Sequence, residues 1–162
     1  MQNTESAYLA SGCFWGTQYH LNKIPGVIST TAGFMGGKLK SPTYPEVKTG
    51  TTGHIETVEV VFDKDKTSFE TILRMYFETH DFTQRDGQGP DIGSQYLSVI
   101  FYNGEEQKAV AERYISILRE KGYDVATELR PAEEFWPAED YHQHYYDNKG
   151  TTPYCHIYKK IF

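Results

Sequence analysis

Two cysteines in 162 residues are too few for a disulfide framework, and neither belongs to a Cys-x-x-Cys pair. That excludes the small, disulfide-stapled secreted class and leaves a redox role or inert burial for each thiol. Positive charge is also scarce, since 16 basic residues against 22 acidic ones give a formal charge of −6 with no sustained basic run. Phosphate neutralisation needs clustered Lys and Arg, so no nucleic-acid partner is expected. No apolar run approaches the roughly 20 residues that cross a bilayer, so no membrane association is expected either. The opening Met1-Gln2-Asn3-Thr4-Glu5 lacks the basic and apolar regions of a secretory leader, which makes a cytoplasmic, reducing location the expectation. Phosphate-cradling glycine loops are missing as well.

Six histidines are present, but none has the spacing of a zinc site. The closest pair, His142 and His144, falls on an expected short helix at 139–148, where residues two apart point about 200° away from each other. His156 beside Cys155 adds too little. Neither a metal nor any other bound cofactor is expected.

What is present begins with Cys13, in the run Ser11-Gly12-Cys13-Phe14-Trp15-Gly16-Thr17. An N-terminal strand gives way to a helix there. A cysteine at a helix N-terminus meets unpaired backbone N–H groups and the positive end of the helix dipole. Both favour the thiolate, which is the reactive form. Flanking glycines let other atoms approach closely, and the two aromatics offer an apolar wall. A buried, inert cysteine is the competing reading.

One domain over residues 1–162 is expected, since a chain of this length buries roughly 70% of its unfolded surface in one core. Ala7–Ala10 reads as a strand, near Cys13 to Lys23 as a helix, and Val27–Phe34 as a second strand. Gly36 to Pro45 reads as a loop, and Ile55–Phe62, rich in β-branched residues, is the clearest strand. Thr67 or Ser68 caps a helix whose apolar face is Phe69, Ile72, Leu73, Tyr76 and Phe77. A polar, glycine-rich loop at 84–93 precedes a strand at Tyr96–Tyr102, a helix from Glu105 to Lys121, and a last strand at Val125–Leu129. From about residue 130 an irregular tail carries Cys155. The order implies an α+β class: a two-layer sandwich with a mixed sheet and a ferredoxin-like β-α-β-β-α-β core.

Alternation along 55–62 places Glu56 on the same face as Val58, Val60 and Phe62. Desolvation on such a face raises a carboxyl pKa and keeps it a proton donor. A strand-end glutamate turned to solvent is the alternative. Tyr44 and Tyr96 border the two glycine- and proline-rich loops, where their hydroxyls can donate hydrogen bonds or simply pack. Asp91 can anchor a site or shape a turn.

Five blocks together resemble the A-type peptide methionine sulfoxide reductases: Gly12-Cys13-Phe14-Trp15-Gly16, Pro42-Thr43-Tyr44, Val47 to Glu56, Gln88-Gly89-Pro90-Asp91-Ile92-Gly93-Ser94-Gln95-Tyr96, and Ala138 to Gln143. The resemblance spans residues 12 to 143 and implies a role for each. Cys13 would attack the sulfur of a methionine S-sulfoxide. Glu56 would protonate the departing oxygen, helped by Tyr44 and Tyr96. Phe14 and Trp15 would form the pocket for the methyl group, and Asp91 would hold the polar network. Cys155 would resolve the Cys13 sulfenic acid to a disulfide, which thioredoxin, or dithiothreitol in vitro, would reduce. A monomer acting on methionine sulfoxide, free or in oxidised proteins, is the expectation. The chain departs from the family pattern at Gln18, where glutamate is frequent, at Ile92, where His or Val is usual, and at Leu97, where an arginine is common.

Two other readings remain open from the residues alone. One is a thiol hydrolase pairing Cys13 with a histidine such as His54. The other is a binding module that uses Phe14 and Trp15 to hold apolar peptides without chemistry.

Overall fold

The β-branched run at 55–62 becomes the middle of a sheet, and the helical patterns around it supply the layer that covers one face. The computed structural model describes residues 3–38, 40–50, 52–88, 91–139, 142–145 and 159–161. In chain order its elements are β1 (Thr4–Ser11), α1 (Phe14–Leu21), β2 (Val27–Met35), α2 (Tyr44–Lys48), β3 (Ile55–Asp63), α3 (Phe69–Glu78), β4 (Gly87–Gln88) and β5 (Asp91–Ile92). A 3-10 turn at Ser94–Tyr96 leads to β6 (Ser98–Tyr102), α4 (Glu105–Glu120), β7 (Glu128–Pro131) and β8 (Trp136–Pro137).

The main sheet runs β7-β6-β1-β3-β2-β8. Its inner strands β6-β1-β3-β2 are mutually antiparallel, and β1-α1-β2-β3-α3-β6 forms the expected ferredoxin-like core. The parallel β6–β7 pair makes the sheet mixed.

Strand alternation sorts the side chains into two clusters. Leu9, Ala32, Phe34, Val58, Val60, Phe62 and Ile100 face α1, α3 and α4, where Leu21, Ile72, Leu73, Phe77, Ala111 and Leu118 meet them. Each such buried aliphatic or aromatic side chain contributes roughly 1.5–3 kcal/mol. The opposite face carries Ala10, Met35, Ile55, Val99 and Phe101, covered in part by Ala132 and Phe135. Ser68 caps α3 by accepting the Thr71 N–H, and all five residues of its expected apolar face are buried.

Four local expectations are corrected. The Gly36–Pro45 loop ends in a helix, α2, whose capping box is Thr43 with Glu46 and whose early proline is tolerated because first-turn N–H groups have no intrahelical acceptor. The 84–93 loop contains the β4–β5 ladder, with Gln88 opposite Asp91. The last long strand lies at Glu128–Pro131 rather than Val125–Leu129, because Val125 turns into the core and Thr127 into a buried polar network. The helix expected at 139–148 does not run through His144, which adopts φ +53°, outside helical geometry. Residues 140, 141 and 146–148 of that span lie outside the described residues, as does Cys155.

Candidate active site

Sheet register brings the candidate residues to one end. Pairing of β1 with β3 stops at Leu9↔Val58, so the chain leaving β1 toward Cys13 passes the start of β3, where Glu56 stands. At that same end Ser11 pairs with Ser98, immediately after the turn that carries Tyr96. Met35 pairs with Ile55, and the connection after β2 delivers α2 and Tyr44.

Cys13 is the N-cap of α1 and is 8% exposed. Its carbonyl accepts the N–H groups of Gly16 and Thr17, which fixes the first turn of the helix. Glu56 is 1% exposed. Its Oε1 accepts the backbone N–H of Phe14 at 3.2 Å, while Oε2 has no hydrogen-bond partner among the described residues. Burial pushes the carboxyl up to about 8; the Phe14 hydrogen bond works against the rise, the Asp91 charge adds to it, and Lys48 lowers it. With Oε1 already accepting from an N–H, the proton of the neutral acid belongs on Oε2.

Tyr96 is pushed up to about 12 by burial and then by Glu56 and Asp91. Tyr44 is raised further by burial and by Glu56, Tyr96, Cys13 and Asp91. Both hydroxyls therefore stay protonated at neutral pH. Asp91 stands in β5, close enough to raise Glu56 and both tyrosines electrostatically.

The two aromatics after Cys13 take different positions. Phe14 is wholly buried, packed on Phe34, Tyr44 and His142, whereas Trp15 is half-buried. Trp15 stacks on Tyr145 with ring centroids 3.8 Å apart and lies 6.1 Å from Tyr44. Its indole Nε1–H donates to Nδ1 of His142 at 3.0 Å. His142 is 1% exposed, and its Nε2 lies 3.6 Å from Glu139 Oε2. Burial lowers its pKa, opposed by the Glu139 charge. Glu139 Oε1 accepts the Tyr44 N–H at 3.2 Å.

In the sequence His142 stands out only as a metal candidate, and Glu139 only within a resemblance block. Their contact with Trp15 and Tyr44 depends on Gln143, whose amide continues β2 like a strand residue. Gln143 Oε1 accepts the Ala32 N–H at 2.8 Å and Nε2 donates to the Ala32 carbonyl at 2.8 Å. Among the described residues no group of three His, Cys, Asp or Glu side chains could hold a metal ion.

The departures also find places. Gln18 is fully buried, donates to the Thr30 carbonyl and Gln143 Oε1, and accepts the His144 N–H at 2.7 Å. Leu97 packs against the Ala10–Met35 cluster, an apolar setting where an arginine would need its charge elsewhere. Ile92 is 54% exposed. His54, the base of the hydrolase reading, accepts the Gly37 N–H at Nδ1 at 3.1 Å.

A buried neutral acid bonded to the residue after a helix N-cap thiol can give a proton to an oxygen brought near that thiol. Acyl transfer would instead need a base on the thiol. Fold and site together define a thiol-dependent reductase. The profile of the family described as peptide methionine sulfoxide reductase matches residues 5–162, and the chain belongs to that family of oxidoreductases, which reduce methionine sulfoxide by thiol chemistry. Peptide methionine sulfoxide reductase MsrA of Sulfolobus acidocaldarius is 46% identical over 154 residues, covering 94% of this chain and 88% of its own. The solved methionine sulfoxide reductase A of Corynebacterium diphtheriae superposes with a TM-score of 0.81 at 37% identity, covering 93% of this chain and 77% of that one. Reduced Mxr1 from Saccharomyces cerevisiae gives a TM-score of 0.89 at 28% identity, over 96% of this chain and 92% of that one. The same yeast protein in complex with Trx2 gives 0.64 at 19% identity, over 96% and 90%. No helix among the described residues is long and apolar enough to cross a membrane.

Proposed function

We propose that the enzyme reduces the S epimer of methionine sulfoxide, free or within oxidised proteins, with Cys13 as nucleophile and Glu56 as acid. The observation that carries the assignment is the Glu56 carboxyl, buried, raised to about 8, bonded through Oε1 to the residue after Cys13, and without a hydrogen-bond partner at Oε2 among the described residues. Cys13 sulfur attacks the sulfoxide sulfur while Glu56 Oε2 protonates the oxygen. The Tyr44 and Tyr96 hydroxyls donate to the same oxygen, where charge develops as the S–O bond breaks. Oxygen ends on Cys13 as a sulfenic acid, and methionine leaves two electrons richer. Trp15 supplies the apolar surface for the methyl group, with Phe14 bracing Tyr44 and His142 from the core. Asp91 holds the polar side of the site.

The Cys155 thiol then attacks the sulfenic sulfur, giving a Cys13–Cys155 disulfide and one water. In support of this reading, Lys159, four residues further along the chain than Cys155, donates its N–H to the Glu78 carbonyl at the end of α3, the helix whose Tyr76 hydroxyl donates to the Ala10 carbonyl. Thioredoxin reduces the disulfide, a reading supported by the yeast relative solved with Trx2, and dithiothreitol replaces it in vitro. The enzyme acts as a monomer in the cytoplasm and needs no bound cofactor.

The test counts free thiols before and after methionine sulfoxide without reductant. Loss of both thiols with one methionine formed is expected, and unchanged thiols refute the cycle. With dithiothreitol, racemic methyl p-tolyl sulfoxide should lose one enantiomer only. Equal consumption of both would overturn the epimer assignment.

A further inference from the structure

Indole has one polar atom, a donor that accepts nothing. In Trp15 that atom is taken by His142 Nδ1, so this nitrogen must be the unprotonated one and the ring proton sits on Nε2, toward Glu139. Glu139 in turn reaches the Tyr44 backbone through its other oxygen. Trp15 and Tyr44 are thereby held by two residues of one segment, which Gln143 joins to β2; His142 Nε2 and Glu139 Oε2 stand 3.6 Å apart, beyond hydrogen-bond distance.

We propose that His142 is a positioning residue for the substrate pocket: the imidazole, protonated on Nε2, holds the Trp15 indole by its only polar atom, while Glu139 on the same segment holds the Tyr44 backbone. This rests on the reading of Trp15 as the methyl surface. The consequence is chemical as well as geometric. A Trp15 whose N–H is satisfied by the protein offers the substrate carbon surface alone, and an unsatisfied N–H beside an apolar methyl would have to be desolvated without compensation. Lowering of the His142 pKa by burial favours the neutral ring that the arrangement requires.

Two measurements test the proposal. A long-range 1H–15N spectrum of the wild-type protein should show His142 with Nε2 protonated and Nδ1 bare, and the opposite tautomer overturns the proposal outright. That reading needs neither turnover nor a variant, so it stands apart from any failure of the reductase assignment. In turnover with methyl p-tolyl sulfoxide and dithiothreitol, His142→Phe should raise KM about tenfold, the worth of one hydrogen bond, with kcat within about threefold. His142→Asn, whose side-chain oxygen can replace Nδ1 as acceptor, should hold KM within about threefold of wild type. Equal KM for the Phe variant and wild type, or equal impairment of the Phe and Asn variants, would mean the ring only fills space and would refute the positioning role.

Discussion

The Phe14 N–H donates to Glu56 Oε1 at 3.2 Å, fastening the buried acid to the residue that follows Cys13. The donor belongs to the first turn of α1, where N–H groups have no intrahelical acceptor. One hydrogen bond thus fixes the distance between candidate acid and nucleophile and selects which carboxyl oxygen keeps the proton. Any motion of the first helical turn carries Cys13 and Glu56 together.

A carboxyl held at about 8 in the folded chain against 4.5 in the unfolded one makes stability depend on pH in a definite direction. Below the unfolded value both states hold the proton. As pH rises from there to about 8, the unfolded chain releases it and the folded chain keeps it, so stability falls. Above that range both states are ionised and the loss is complete, on the order of a few kcal/mol. Glu56→Gln cannot ionise. Its guanidinium unfolding free energy should therefore gain on wild type steadily between pH 5 and pH 8, and parallel curves would show that Glu56 is not held neutral.

Tyr44 and Tyr96 should act as donors whose contributions combine. Removing one hydroxyl, as Tyr44→Phe or Tyr96→Phe, should lower kcat about 10- to 100-fold with dithiothreitol as reductant, and the double variant should fall further. KM should change little, because the bonds strengthen as the S–O bond breaks. Loss through KM alone would place the hydroxyls in ground-state binding.

Much of this site was legible in the sequence because strand alternation is a strong rule. Placing Glu56 on the face of Val58, Val60 and Phe62 made a desolvated carboxyl one of two readings, beside a strand-end glutamate turned to solvent, and the change from strand to helix after Gly12 set Cys13 at a helix N-terminus. The fold was legible for the same reason, since α3 and β3 have unambiguous periods. Helix α2 was hidden by Pro42 and Pro45, although Thr43 and Glu46 spell the capping box that overrides them. Glu139, His142 and Gln143 could not be read from spacing. Their partners Tyr44, Trp15 and Ala32 lie far away in the chain, and the pairing of β8 with β2, continued by the Gln143 amide on Ala32, brings the segment alongside.

Gln18 offers a test at the departure from the family pattern. Its amide nitrogen faces two acceptors, the Thr30 carbonyl and Gln143 Oε1, while its oxygen takes the His144 N–H. Gln18→Glu would set carboxylate oxygen against those acceptors in a fully buried position. A loss of about 1–3 kcal/mol in unfolding free energy is expected at pH 7. An unchanged midpoint would show that the Gln143 amide can turn to compensate.

Gly37 joins stability to the spacing of the site. Its N–H donates to His54 Nδ1, and a Cβ built there would lie 2.4 Å from the His54 backbone nitrogen and 2.5 Å from its ring. Backbone at that distance cannot swing aside as a flexible side chain does, so the loop before α2 must lift from the start of β3. Tyr44 rides on the first and Glu56 on the second. Gly37→Ala should therefore cost about 1–3 kcal/mol and also lower kcat, because the hydroxyl donor and the acid move apart. Gly104→Ala is the control: its Cβ meets nothing within 4 Å, and φ +96° makes it costly only through backbone conformation. It should lose about 1 kcal/mol with kcat unchanged. If both variants lose stability and neither loses activity, the contact between Gly37 and His54 does not set the geometry of the site.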